Sequence, residues 1–575
     1  MRSKLFWLGI LFGAVLTVVF WSSLVFHINQ PLGFAHGDAY RDYFVLKHYV
    51  HIAQTGDWGN LATTPEFYGF KNSLFFNDHF LVLGALAILL QPFTKSVITS
   101  FHILSLITIF LSFAGMYTLV WYFTKKFYPS AIAGVIYAFN SFVTGRFSDH
   151  IEIYAMQWIP FIFLVFELWI TKRKARWGFV LFLLLTAQLM ASSLYLSVML
   201  SVLLPVYACM RIWQTKTPLR FFPSKWAIIG SLLFIIVTGI NIYFYSLPYR
   251  LHMTPRNMDQ ILLFSPYVSD YLFSTPNTVL YGGIKSVATQ QFPAFVRTGI
   301  PSEHNVFWGI IPWILFIVSI FLLRRSKERN VWIALLITFV LAVLFSFGPW
   351  IHVSDTIGFP GPYALLYWAD PVVRLLRVPA RFVLFAIFSV AVIAGFTVEK
   401  FDNKRWGMWV SAAILVGILA EYWVKPLEFL PPQPNLASVY ATVNSTAGVR
   451  VLLEWPVAND FPLYLSGGRP EDDDTGYLLW ATIYHNKTLF DGYAGTYPLL
   501  YWQRTQFLST NFPSVETLKL LKIWSVDAIV VHRDQYSTQV QYDSVLDGLQ
   551  KLGVPQITGN ADAASYNLKA WKEAR

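Results

Sequence analysis

The sequence predicts an α-helical polytopic membrane protein with about eleven transmembrane helices and a small C-terminal α/β domain outside the membrane. Three observations carry this prediction. Of 575 residues, 55% are hydrophobic and only 13% charged, and the mean hydropathy is +0.49, which is more apolar side chain than one water-facing domain buries. Apolar runs long enough to cross hydrocarbon recur through the first 424 residues. Between them lie short Lys/Arg clusters that alternate with the runs, while residues 425–575 lose the long runs altogether.

Spanning the hydrocarbon takes about twenty residues of helix, somewhat fewer where the bilayer thins. Runs of this kind lie near 5–27, 97–123, 129–144, 154–170, 177–191, 193–210, 226–247, 306–323, 331–347, 382–399 and 406–424. The first is long and lacks a small-x-small cleavage site before His36, so it reads as an uncleaved span and not as a signal peptide.

The basic clusters at Arg2/Lys4, Lys125/Lys126, 172–176, 211–225, 324–329 and 400–405 set the orientation, because Lys and Arg are retained on the cytoplasmic side. They alternate without a violation only if the short run 79–93 does not cross. That run ends at Gln91-Pro92, and counting it as a span puts Lys125 and Lys126 outside, so it reads as a helix lying on the outer membrane surface. The N-terminus is then cytoplasmic in a plasma membrane. The large loops 28–96, 248–305 and 348–381 and everything after about 425 fall on the outer face. Residues 1–424 form a transmembrane module and 425–575 an extracytoplasmic domain.

A net charge of +11 raises the question of nucleic acid, but the cations sit in connectors between apolar runs and form no single basic face. The single cysteine, Cys209, excludes an intrachain disulfide and any Cys-based zinc cluster. His-Glu-x-x-His, the Walker glycine loop and Gly-x-Ser-x-Gly are all missing, so zinc-protease, P-loop and serine-esterase chemistry lack support. Past the hinge Pro431-Pro432-Gln433-Pro434, the segments 449–455 and 528–532 read as strands and 514–521 as a short helix.

The chemistry gathers on the outer face. His36-Gly37-Asp38-Ala39-Tyr40-Arg41-Asp42 opens the first loop. In a helix Asp38 and Asp42 share one face at i,i+4, suited to a metal ion or to a base and its partner, although Asp38 is equally suited to capping a surface helix. A second polar island, Arg146-Phe147-Ser148-Asp149-His150-Ile151-Glu152, must sit near water or in a polar cavity, since an ionised group at mid-bilayer costs about 2.5–3.5 kcal/mol. It is either a working site or an ordinary wet turn beside an interfacial Trp158. Arg250, Arg256, Arg297, His304, Arg374, Arg377 and Arg381 also fall outside, against the topological preference. They serve either to grip phosphate or to snorkel at the interface. Trp455, Trp480, Tyr484 and Tyr493 in the C-terminal domain are either its core or a glycan-holding surface.

The early Gly37-Asp38-Ala39-Tyr40 after a first span resembles the GT-C superfamily of polyprenyl-phosphate-dependent membrane glycosyltransferases. Gly145-Arg146-Phe147-Ser148-Asp149-His150 leading to Gln157-Trp158-Ile159-Pro160 is similar to bacterial members described as YfhO-like. So are Ser302-Glu303-His304-Asn305, the Arg377-Val378-Pro379-Ala380-Arg381 core, Leu453-Glu454-Trp455-Pro456, Asp491-Gly492-Tyr493 and Val530-Val531-His532-Arg533-Asp534. The likeness runs in order along nearly the whole chain.

The resemblance implies transfer of a sugar from a polyprenyl phosphate to a hydroxyl of a glycan, lipid or protein acceptor, with inversion and with Asp38 as the base. It places Arg146, His150, Arg297, Glu303, His304, Arg374 and Arg377 at the substrates, with Asp42. Asp149, Glu152 and Asp270 are expected to orient the acceptor or to complete a site for a divalent ion such as Mg or Mn, which some relatives use. A flippase or exporter of lipid-linked saccharide and a non-catalytic scaffold are the competing readings.

Overall fold

The computed structural model describes residues 2–33, 38–147, 150–191, 194–218, 224–247, 258–273, 276–293, 302–369, 373, 376–402, 405–457, 476–494 and 497–573. The chain forms two compact units. The first comprises 1–28, 102–240 and 256–427, and the second 29–101, 241–255 and 428–575.

All eleven apolar runs become helices. Among the described residues seven are long and apolar enough to cross a membrane: Ser3–Phe20, Val97–Thr124, Ile151–Lys172, Leu194–Thr215, Lys225–Ser246, Arg329–Ser346 and Pro379–Asp402. The other four runs give the shorter helices Phe127–Ala138, Arg176–Ala191, Ile310–Leu322 and Gly407–Tyr422. Pro379–Asp402 is the axis of the first unit, buried from Pro379 to Glu399 and packed on Phe127–Ala138, Ile310–Leu322, Arg329–Ser346 and Gly407–Tyr422. Gly395 makes the close approach to Phe127–Ala138 possible. A Cβ there lies 2.9 Å from the Pro129 carbonyl oxygen, so any larger residue forces the two helices apart.

Three basic connectors expected to share a face do meet. Lys126 pairs with Asp402 at 3.3 Å, Lys400 with Glu328 at 2.7 Å, and Lys327 with Glu399 at 3.4 Å. Arg381 stands at the opposite end of the axial helix from Lys400. Nineteen residues at helical rise separate them by about 28 Å, roughly the thickness of the hydrocarbon.

The second unit is built on a five-stranded mixed sheet. With the hairpin β1 (Trp350–His352) and β2 (Gly358–Pro360) of the first unit counted first, its strands are β3 (Val451–Trp455), β4 (Thr488–Leu489), β5 (Ala528–His532), β6 (Gln556–Gly559) and β7 (Ala563–Asn567), in the order β4-β3-β5-β7-β6. β3 runs parallel to β4 and β5, while β7 is antiparallel to β5 and β6. The predicted strands 449–455 and 528–532 are β3 and β5. The predicted helix is Val515–Ile523, opened by a Ser514 cap that accepts from Thr517 N–H.

The first outer loop belongs to this unit as well. The segment around Phe67 extends the sheet past β4: Leu489 N–H donates to Pro65 O at 2.8 Å, Tyr68 N–H to Leu489 O at 3.1 Å and Phe67 N–H to Asp491 O at 2.9 Å. The helix Asp38–Thr55 packs on Leu81–Thr94, which is the short run kept out of the span count. Lys47 Nζ ties the first of these helices to the end of Gly476–Ile483 by donating to Ala481 O at 2.7 Å and His485 O at 2.6 Å.

Candidate functional site

In the first unit the polar residues gather at the end of the axial helix away from the basic connectors. Asn140 caps the short helix Ser141–Thr144 by accepting from Val143 N–H at 3.1 Å, and the chain then turns Arg146 inward. Its guanidinium is fully buried, lies 3.7 Å over the Phe142 ring, and gives Nε and Nη2 to Glu303 Oε2 at 3.0 and 2.8 Å. Arg381, stacked on Tyr195, gives Nε and Nη2 to the other oxygen, Oε1, at 3.0 and 2.6 Å. Burial opposes ionisation of Glu303, but the charges of Arg146 and Arg381 outweigh it and hold the carboxyl far below the usual range.

His304, the next residue, faces a second carboxylate. Its Nδ1 is 3.2 Å from Asp270 Oδ2 and its Nε2 is 2.8 Å from Leu263 O. Lys285 Nζ donates to Asp270 Oδ1 at 2.8 Å, and Tyr267 N–H to Oδ2 at 2.8 Å. Burial works against the Asp270 charge, and His304 and Lys285 together lower its pKa in spite of it. Arg377 donates its backbone N–H to Tyr195 OH at 2.9 Å and lays its guanidinium 4.7 Å over Phe264.

His150 and Glu152 sit in the electrostatic field of this cluster, His150 acting on Glu303 and Glu152 on Arg381. His150 Nδ1 is 2.8 Å from Glu152 Oε1. Glu152 Oε2 is buried with no hydrogen-bond partner among the described residues. That open oxygen beside an imidazole is a donor set a divalent cation accepts.

In the second unit Asp38 is the first residue of its helix and half-buried, and Asp42 follows one turn later, buried. Arg41 between them is buried too. Its Nη1 donates to Asp78 O at 3.2 Å, while Nε and Nη2 have no hydrogen-bond partner among the described residues. Such donors cost stability when left open in the interior. Glu66 lies near enough for the Arg41 charge to act on it, yet burial dominates and raises its pKa.

Asp149, Arg297 and Arg374 lie outside the described residues. The remaining expected site residues fall into two groups. Arg146, His150, Glu152, Asp270, Glu303, His304 and Arg377 belong to the first unit, and Asp38 and Asp42 to the second. The structure adds Arg381, Lys285 and Arg41. Arg381 was legible as the second arginine of the Arg-Val-Pro-Ala-Arg core, whereas nothing local marks Lys285 or the open donors of Arg41. Of the C-terminal aromatics, Trp455, Trp480 and Tyr493 are buried, with Trp480 stacked on His532 at 3.8 Å, and Tyr484 is half-buried.

No protein-family model matches the chain, and no curated protein matches it. Solved structures do share its architecture. Arabinofuranosyltransferase AftD from Mycobacteria matches 99% of this chain with a TM-score of 0.56 at 10% identity, and the chain spans 40% of AftD. ArnT from Cupriavidus metallidurans, solved bound to undecaprenyl phosphate, matches 98% of both chains with a TM-score of 0.50 at 11% identity. The chain is a multi-pass membrane protein with the GT-C fold. At these identities the likeness is one of fold.

Proposed function

We propose that this protein is a membrane glycosyltransferase that moves a sugar from a polyprenyl-phosphate donor to an acceptor hydroxyl on the outer face of the plasma membrane, inverting the anomeric centre. The observation that carries the reading is the end-to-end match with ArnT, a structure that holds undecaprenyl phosphate.

Asp38 takes the acceptor hydroxyl proton as that oxygen attacks the anomeric carbon. The bond to the phosphate oxygen breaks, and the lipid phosphate leaves with the electron pair. A phosphate leaving group needs its charge met more than it needs an acid. Arg377, His304 and the open donors of Arg41 suit that task, and Arg297 and Arg374 carry the same chemistry. Arg146 and Arg381 act through Glu303, fixing the turn that carries His304. Asp42, Asp149 and Asp270 orient acceptor and loops. His150 and Glu152 would hold a divalent ion, which would supply positive charge against the phosphate.

The test is sugar transfer by the purified full chain from a panel of polyprenyl-phosphate donors, comparing the natural protein with Asp38→Asn. Turnover that collapses in the variant supports the reading. Unchanged turnover removes Asp38 from the base role, and no turnover with any donor favours transport or a scaffold.

A further inference from the structure

The second unit carries a polar groove that the transfer reaction does not use. Its larger part is a cleft of about 370 Å³, which continues through Lys47, Ile483 and Asn486 into a smaller one of about 250 Å³. Three lysines line it, Lys47 and Lys95 in the larger part and Lys487 in the smaller, and the His51 imidazole stands beside them. No carboxylate stands among the described lining residues. The amides of Gln91 and Asn486 and the hydroxyls of Ser96 and Thr482 add neutral hydrogen-bonding groups. Clustered like charges repel, so a groove of this composition gains from an anion.

Two features say what kind of anion. The wall includes Val97 and Ile98, the first residues of the 28-residue helix Val97–Thr124, which is long and apolar enough to cross a membrane, so the groove lies at the head of a candidate span, where the positive end of the helix dipole adds to the lysines. Lys47 is also held in place. Two of the three ammonium donors bind Ala481 O and His485 O, leaving the third for the groove. Asp38 lies on the same helix but nine residues away, two and a half turns, and so projects from the opposite face. The groove is therefore separate from the face that carries Asp38.

We infer that this groove binds the phosphate-bearing headgroup of an anionic membrane lipid, with Lys47, His51, Lys95 and Lys487 around the phosphate and Gln91, Ser96 and Asn486 on the polar headgroup. It gives the outward lysines of this unit a purpose that topology does not supply.

The full chain, purified in a neutral detergent, is titrated with phosphatidylglycerol, with phosphatidylcholine and with inorganic phosphate, and binding is read as a shift in thermal unfolding. Phosphatidylglycerol is expected to raise the unfolding temperature of the natural protein, and phosphatidylcholine to leave it unchanged. The double variant His51→Gln/Lys95→Glu changes two exposed residues and is expected to unfold normally in neutral detergent while binding phosphatidylglycerol about tenfold or more weakly. Lys95→Gln serves as the milder variant should the double one fail to fold, with a smaller loss in the same direction. Equal stabilisation by both lipids, or undiminished affinity in the variants, overturns the assignment. Stabilisation by inorganic phosphate to the same extent overturns the lipid as the source.

Discussion

Arg146 delivers Nε and Nη2 to a single oxygen of Glu303, at 3.0 and 2.8 Å, across 157 residues of sequence. The other oxygen belongs to Arg381. A buried ion pair of this kind adds little net stability against an apolar replacement, yet losing one partner strands the others in a medium that solvates them poorly. Glu303→Gln is therefore expected to destabilise the protein by about 3–5 kcal/mol, seen as a clear fall in the thermal unfolding temperature in detergent. An unfolding temperature within a degree of the natural protein's would falsify the clamp. Arg146→Lys is expected to behave similarly, because an ammonium does not reproduce the fork.

Asp38→Asn keeps the size and the polar head of the side chain while removing its basicity. Transfer is expected to fall by about 10²- to 10⁴-fold, the usual worth of a general base, with the unfolding temperature and donor affinity held. A parallel loss of donor affinity points instead to a binding role.

Two of the buried carboxyls of the second unit, Glu454 and Asp491, have opposite pH behaviour. Glu454 is 2.8 Å from His532 Nε2 and accepts Tyr440 OH at 2.9 Å. Burial opposes its charge, and His485 and His532 overcome this, holding its pKa down at about 2. Its contribution is complete above the unfolded carboxyl range near about 4.3 and is lost as pH falls towards the folded value. Asp491 is pushed well above its ordinary value, by burial first and by the Glu454 charge. A raised carboxyl stabilises at low pH and costs stability as pH rises beyond the unfolded value. Asp491→Asn is accordingly expected to raise the unfolding temperature at pH 7 and to change it little near pH 4. Glu454→Gln lowers it at pH 7, with the gap closing towards pH 2. Unfolding curves across that range decide both, and an Asp491→Asn variant less stable at pH 7 than at pH 4 relative to the natural protein contradicts the assignment.

Gly492 fits only because it has no side chain. A Cβ placed there comes within 2.4 Å of the buried Phe67 ring, the residue that joins the first loop to the sheet edge. Gly492→Ala is expected to cost about 1–3 kcal/mol by overpacking and to expose the 61–77 segment to protease. Cleavage there at the natural rate argues that the ring moves aside at no cost.

Much of the fold was legible because its signals are local. An apolar run long enough to cross hydrocarbon becomes a helix wherever it stands, and all eleven runs did so, although four form helices of 12 to 16 residues. Ser514, the apolar run of β3 and the β-branched run of β5 likewise mark their elements from within a few residues. Asp38 and Asp42 could be read as one-turn neighbours because helical spacing alone relates them.

The tertiary structure alone decided what pairs with what. Nothing near Glu303 in sequence marks it as the acceptor for Arg146 and Arg381, and nothing near Phe67 shows that the first loop continues the sheet of the C-terminal residues. Such pairings are fixed by which buried charges and unpaired backbone groups can reach a partner once the chain has collapsed. The sequence determined a membrane-spanning helical chain and the residues rich enough in chemistry to form a site. The folded chain determined that Arg146 is spent on Glu303, that Asp270 holds His304 and Lys285, and that two Arg41 donors find no partner among the described residues.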